Sequence, residues 1–224
     1  MTPSTNGQTT TSQEVVKTSF PKGLKIPATI ISIAFHPFLM PVIGTWLIVY
    51  LHFYEFAGFD KKDFIQLYGT ILTNTVILPF ATVFLLSKLK FISNIGMPKN
   101  RDRIIPYIAL MTFYFWAFLV FKKQPLAPDS IKGFMLGIFI ASILGFLSNL
   151  KLRTSLHMIG MGCLIGILLF FSNNTNSMIP LMAVILATGL VATSRIIKSG
   201  HSTLEIYLGL LFGIVSQLLA FWIV

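Results

Sequence analysis

Past a polar N-terminal stretch, the chain settles into long apolar runs separated by short polar breaks. The runs fall at residues 30–52, 64–87, 104–121, 131–149, 155–172, 177–195 and 203–223. Each is close to the ~20 residues a helix needs to cross hydrocarbon at a rise of about 1.5 Å per residue. The apolar residues within a run are continuous rather than alternating, and the runs are too long for strands. This excludes a closed outer-membrane barrel. The pattern predicts an all-α fold, a polytopic transmembrane helical bundle of six to seven spans. It forms one transmembrane domain over residues 25–224. The first run contains His36-Pro37 and Pro41, so it is expected to kink or to start as an interfacial piece. Residues 1–24, rich in Thr and Ser, read as a disordered polar tail. They lack the short apolar core and small-residue cleavage site of a signal peptide.

Composition agrees with the pattern. Of 224 residues, 54% are hydrophobic and 11% charged, where a soluble domain has about 25% charged. The single cysteine, Cys163, rules out an intrachain disulfide and a cysteine-built metal cluster.

Charge adds a direction. With seven crossings, the tail and the breaks around 88–103, 150–154 and 196–202 share one side. Of the 17 Lys and Arg, only Lys61, Lys62, Lys122, Lys123 and Lys132 fall on the other. The excess points the crowded face to the cytoplasm. The formal net charge of +10 suits helix anchoring in headgroups, an anionic ligand, or both, and nothing marks a nucleic-acid partner.

Three clusters lie on that crowded face: KNRDRIIP (Lys99–Pro106), KLRTSLH (Lys151–His157) and SRIIKSGHSTLE (Ser194–Glu205). Each sits where a loop meets a helix. Arg and Lys can clamp phosphate oxygens, Arg bidentately. One His can attack phosphorus and a second can protonate a departing alkoxide. Ser and Gly at a helix start add hydroxyl and backbone donors to an anion.

The third cluster, Ser194-Arg195, five residues, His201, three residues, Glu205, resembles the last signature of the type 2 phosphatidic acid phosphatase superfamily, which ends in Asp. The second is similar to that family's Pro-Ser-Gly-His, with Thr154-Ser155-Leu156-His157 here. The first signature, Lys-x6-Arg-Pro, is matched only by Lys99, Arg101 and Arg103 ahead of Pro106. The order of the clusters agrees, and the resemblance spans about residues 99–220.

The resemblance implies an integral-membrane phosphatase acting on a lipid phosphate or isoprenoid pyrophosphate, without metal or other cofactor, or a phosphotransferase that passes the phosphate to another lipid. His201 would form a phospho-histidine, His157 would serve as general acid and then base, and Glu205 would orient His201. Arg195, Arg103, Arg101 and Lys99 would hold phosphate oxygens, with Ser155 donating a hydrogen bond. The partners would be a membrane lipid phosphate and the bilayer, the location the cell membrane. Many bacterial relatives in that family work on the extracytoplasmic side. Setting aside the six motif cations Lys99, Arg101, Arg103, Lys151, Arg153 and Arg195 leaves about six against five, so the side stays open. A lipid-phosphate binder or transport component on a degenerate phosphatase scaffold is the alternative from another class.

Plainer roles compete for several residues. Ser202-x-x-Glu205 is also a capping box opening the last helix. Lys99, Lys151, Arg103 and Arg153 also suit headgroup anchoring. His36, in FHPFLMP, reads as a neighbour of the site, and His52 reads as structural. Gly160, Gly162 and Gly166 around Cys163 suit close helix packing.

Overall fold

A computed structural model of the protein describes residues 21–91, 100–125, 127–172, 177–199 and 201–224. The described residues form an all-α bundle: α1 (Lys22–Ala34), α2 (Met40–Leu51), α3 (Lys61–Leu72), α4 (Leu78–Lys88), α5 (Asn100–Lys123), α6 (Asp129–Asn149), α7 (Leu156–Phe170), α8 (Met178–Ser199) and α9 (Thr203–Ile223). Among the described residues six stretches are long and apolar enough to cross a membrane, and α7 is a shorter apolar helix. The chain is a multi-pass membrane protein.

All seven expected runs are helical, but their edges move. The first helix starts at Lys22, within the stretch expected as a tail, and residues 1–20 of that stretch lie outside the described residues. Helix α8 runs through Arg195, expected at the run's edge, and carries Lys198, expected in the following loop, in its last turn. Nothing between Ser194 and Ser199 breaks a helix, and cations are favoured in a last turn by the helix dipole.

Local chemistry explains the interruptions. Pro37 forces the preceding residue away from helical geometry, and His36 is extended at φ −67°, ψ 139°. The Gly23–Leu51 stretch therefore breaks into α1 and α2 across a short 3-10 turn, Pro37–Leu39. Between α3 and α4, Thr73–Ile77 form a π turn just ahead of Pro79. That wider turn accommodates a residue that cannot donate and whose ring crowds the carbonyl four positions back. Helix α3 opens with a capping box, Asp60 accepting from Lys62 and Asp63 N–H while the Asp63 carboxylate accepts from Asp60 N–H.

Helix α7 is the axis of the bundle. Ten of its fifteen residues are buried, and it packs on α2, α6, α8 and α9. At about 1.5 Å per residue it is only about 22 Å long, which suffices because neighbouring helices rather than lipid cover most of it. The outer helices invert the soluble pattern: Trp222 is 85% and Ile179 80% exposed, a surface suited to acyl chains.

Glycine makes the α7–α9 seam. Gly162 and Gly166 on α7 and Gly209 and Gly213 on α9 are small residues at i and i+4: Gly162 faces Gly213 and Leu210 O, Gly166 faces Ile214, and Gly209 faces Ser155 O. A Cβ on Gly213 would collide with the Ile159 carbonyl oxygen and lie 2.6 Å from Cys163 N, backbone atoms that cannot rotate away. Gly213→Val is expected to destabilise the fold by about 3 kcal/mol or more, measured as a lowered midpoint in thermal or denaturant unfolding. Gly189, whose Cβ would meet nothing within 4 Å, is the control: Gly189→Ala should leave the midpoint unchanged or raise it.

Candidate functional site

The three histidine-bearing segments meet at one end of the bundle. The loop after α6, the break between α1 and α2, and the junction of α8 with α9 lie together there.

The α8–α9 junction supplies His201 and Glu205. Ser202 caps α9, its hydroxyl accepting from Glu205 N–H at 3.3 Å, and Glu205 Oε2 accepts from Ser202 N–H at 3.2 Å. The same Oε2 lies 2.8 Å from His201 Nδ1. A carboxylate only accepts, so Nδ1 carries a proton and, in the neutral ring, the lone pair is on Nε2. The capping and the histidine-orienting readings of Glu205 therefore hold together in one oxygen. His201 is buried, and Glu205 is partly so.

The α6–α7 loop supplies His157 and Ser155. Ser155 N–H donates to the Glu205 carbonyl at 3.3 Å, which ties the loop to the first turn of α9. Gly209 permits this approach, since a Cβ there would lie 2.8 Å from Ser155 O. The buried Thr154 Oγ1, Ser155 Oγ and Arg153 Nε have no hydrogen-bond partner among the described residues. Three such donors at the start of α7 suit an anion, which the N-terminal N–H groups also favour.

Helix α1 joins through its C-terminal carbonyls. Phe35 N–H donates to Ile31 O and His36 N–H to Ile33 O, so neither bond uses Ser32 O. His157 Nε2 lies 3.1 Å from that oxygen and donates to it. His157 thus caps α1 through Nε2, a bond that does not involve its other nitrogen, Nδ1. Ser194 Oγ donates to Val191 O at 2.7 Å and accepts from Ser32 Oγ at 3.2 Å. The motif serine Ser194 therefore pins α1 to α8.

Arg195, His36 and His201 all lie within electrostatic reach of His157. The rings of His36 and His157 stand edge to face, centroids 5.7 Å apart. The structure thus gathers His157, His201, Glu205, Arg195 and Ser155. Arg101 and Arg103 are in the first turn of α5, at the same end of the bundle, since Tyr107 packs on Phe146 and Gly145 near the end of α6. Their side chains, and Lys99 altogether, lie outside the described residues.

Ser32 carried no signal in the sequence, because its role depends on a helix contact across 162 positions. His36 carried one clue, the His-Pro break. His52 is at the far end, with Nδ1 2.8 Å from Tyr54 Oη and 3.3 Å from Glu55 Oε1 and its ring on Phe171, a structural setting. Among the described residues no group of three or more His, Cys, Asp and Glu side chains is arranged to hold a metal. Comparison with protein-family models, with curated proteins and with solved structures returned no match to this chain.

Proposed function

We propose that the protein is an integral-membrane phosphatase or phosphotransferase of the cell membrane, acting on a lipid phosphate or isoprenoid pyrophosphate through a phospho-histidine. The observation that carries this reading is the 2.8 Å contact between His201 Nδ1 and Glu205 Oε2, made beside His157 and Arg195. A histidine so held presents an unprotonated nitrogen to an electrophile, and the carboxylate offsets the positive charge that grows on the ring.

The steps follow from the tautomers. The His201 Nε2 lone pair attacks phosphorus while the bond from phosphorus to the lipid oxygen breaks. The departing oxygen takes a proton from Nδ1 of His157, which enters this step doubly protonated with its Nε2–H kept on Ser32 O. Water, or the hydroxyl of a second lipid, then attacks the phospho-histidine and gives its proton to His157 Nδ1. Phosphate leaves, or is carried to the acceptor, and His201 regains its lone pair. Arg195 neutralises the oxygens throughout, Ser155 Oγ donates to one of them, and Arg101, Arg103 and Lys99 complete the clamp.

The test is phosphate release by purified protein in detergent, supplied with dioctanoyl phosphatidic acid or farnesyl diphosphate. Arg195→Lys should lower kcat/KM by about 10–100-fold, since a point charge replaces a forked contact. Lys198→Arg should cost far less. Equal tolerance of both changes would make Arg195 a headgroup anchor, and the absence of release from every lipid phosphate would favour the non-catalytic alternative.

A further inference from the structure

The break between α1 and α2 brings a third imidazole to this end of the bundle, and the mechanism above does not use it. His36 Nδ1 accepts from Phe38 N–H at 3.4 Å, capping the 3-10 turn that follows. A neutral imidazole accepting at Nδ1 carries its proton on Nε2, so His36 offers an N–H donor. The ring is half-buried, edge to face with Phe38 at 5.0 Å and with His157 at 5.7 Å. Among the described residues, the charges that reach it are those of Arg195 and Lys198, both cationic. A donor held among cations is matched by an anion.

We propose that His36 is a substrate-binding residue, its Nε2–H donating to a non-bridging oxygen of the phosphate that Arg195 holds. The proposal rests on the phosphatase reading for its substrate and on the helix break for its geometry. Pro37 is what turns the ring out of α1, so the first span contributes to binding directly rather than as a membrane anchor. His157 and His36 then divide the work of α1's end. One ties the helix down through Ser32, and the other faces the ligand.

The test uses the full chain in nanodiscs, with orthovanadate binding followed by titration calorimetry and dioctanoyl phosphatidic acid turnover measured alongside. His36→Phe keeps a ring against Phe38 and His157 but has no donor. It should raise the orthovanadate Kd and the KM by about tenfold, in line with a hydrogen bond to a charged group, with kcat within a few-fold. His36→Gln puts an amide nitrogen near the Nε2 position and should recover most of the loss. His36→Asn, the better cap for the turn, should not. Unchanged orthovanadate binding in His36→Phe would overturn the assignment, as would recovery by Asn but not Gln, which would make His36 a turn cap. Wild-type protein that binds no orthovanadate would overturn this assignment and the phosphatase reading together. Wild-type protein that binds it with the expected variant pattern, yet hydrolyses nothing, would overturn only the phosphatase reading.

Discussion

His201→Ala is expected to lower kcat for phosphate release by about 10⁴–10⁶, the scale seen when a nucleophile acting within a coupled group is removed. The side chain is buried, so alanine opens a small cavity, but the Ser202–Glu205 capping box that starts α9 does not involve the ring. The protein should therefore remain folded and still bind orthovanadate through Arg195 and Ser155. Phospho-histidine is stable in alkali and labile in acid. Wild-type protein incubated with labelled substrate and quenched in alkaline detergent should retain label, and His201→Ala should retain none. Label persisting in the variant would move the nucleophile elsewhere, and undiminished release would remove the phospho-histidine route.

Glu205→Gln is the second large effect, an expected fall of about 10²–10⁴ in kcat with little change in the unfolding midpoint. Glutamine still serves at the third position of a capping box, so the start of α9 survives. The chemistry does not. An amide turned with its NH₂ toward His201 favours the tautomer protonated on Nε2, which removes the attacking lone pair. An amide turned the other way accepts the hydrogen bond but cannot offset the charge on the ring. In wild-type protein kcat/KM should follow a bell in pH, because attack needs His201 unprotonated at Nε2 while leaving-group departure needs His157 protonated at Nδ1. The limbs belong to the coupled pair rather than to either ring alone. A variant with a lowered midpoint and unaltered kcat would leave Glu205 as a helix cap only.

The helical fold could be read from the chain because a lipid-facing helix must be apolar over its whole length. Seven such runs leave little freedom in element type. The core of the candidate site was legible for a related reason. Ser194, Arg195, His201 and Glu205 fall within twelve residues, so local geometry alone brings them together. Ser155 and His157 were legible as a short pattern, though only their packing against α9 explains why they meet His201. The contribution of α1 was not legible. It depends on which carbonyl is passed over at a helix end and on a serine pair across 162 positions, neither of which leaves a periodic trace. The π turn ahead of Pro79 was hidden likewise, because hydropathy runs through it without interruption.

The glycine seam between α7 and α9 has a bearing on how this site could drift or be redesigned. Ser155 and His157 ride on one side of that seam, and His201 and Glu205 on the other. Their spacing is set where main chain rests on main chain, at Gly162, Gly209 and Gly213. Side chains that line a pocket can be trimmed or extended by small increments, and such pockets wander gradually through sequence space. Here the first added methyl already displaces a helix. The separation of the two imidazoles is thus a discrete quantity, inherited with the backbone, and substitutions at the rim can change the surroundings while the paired histidines keep their spacing.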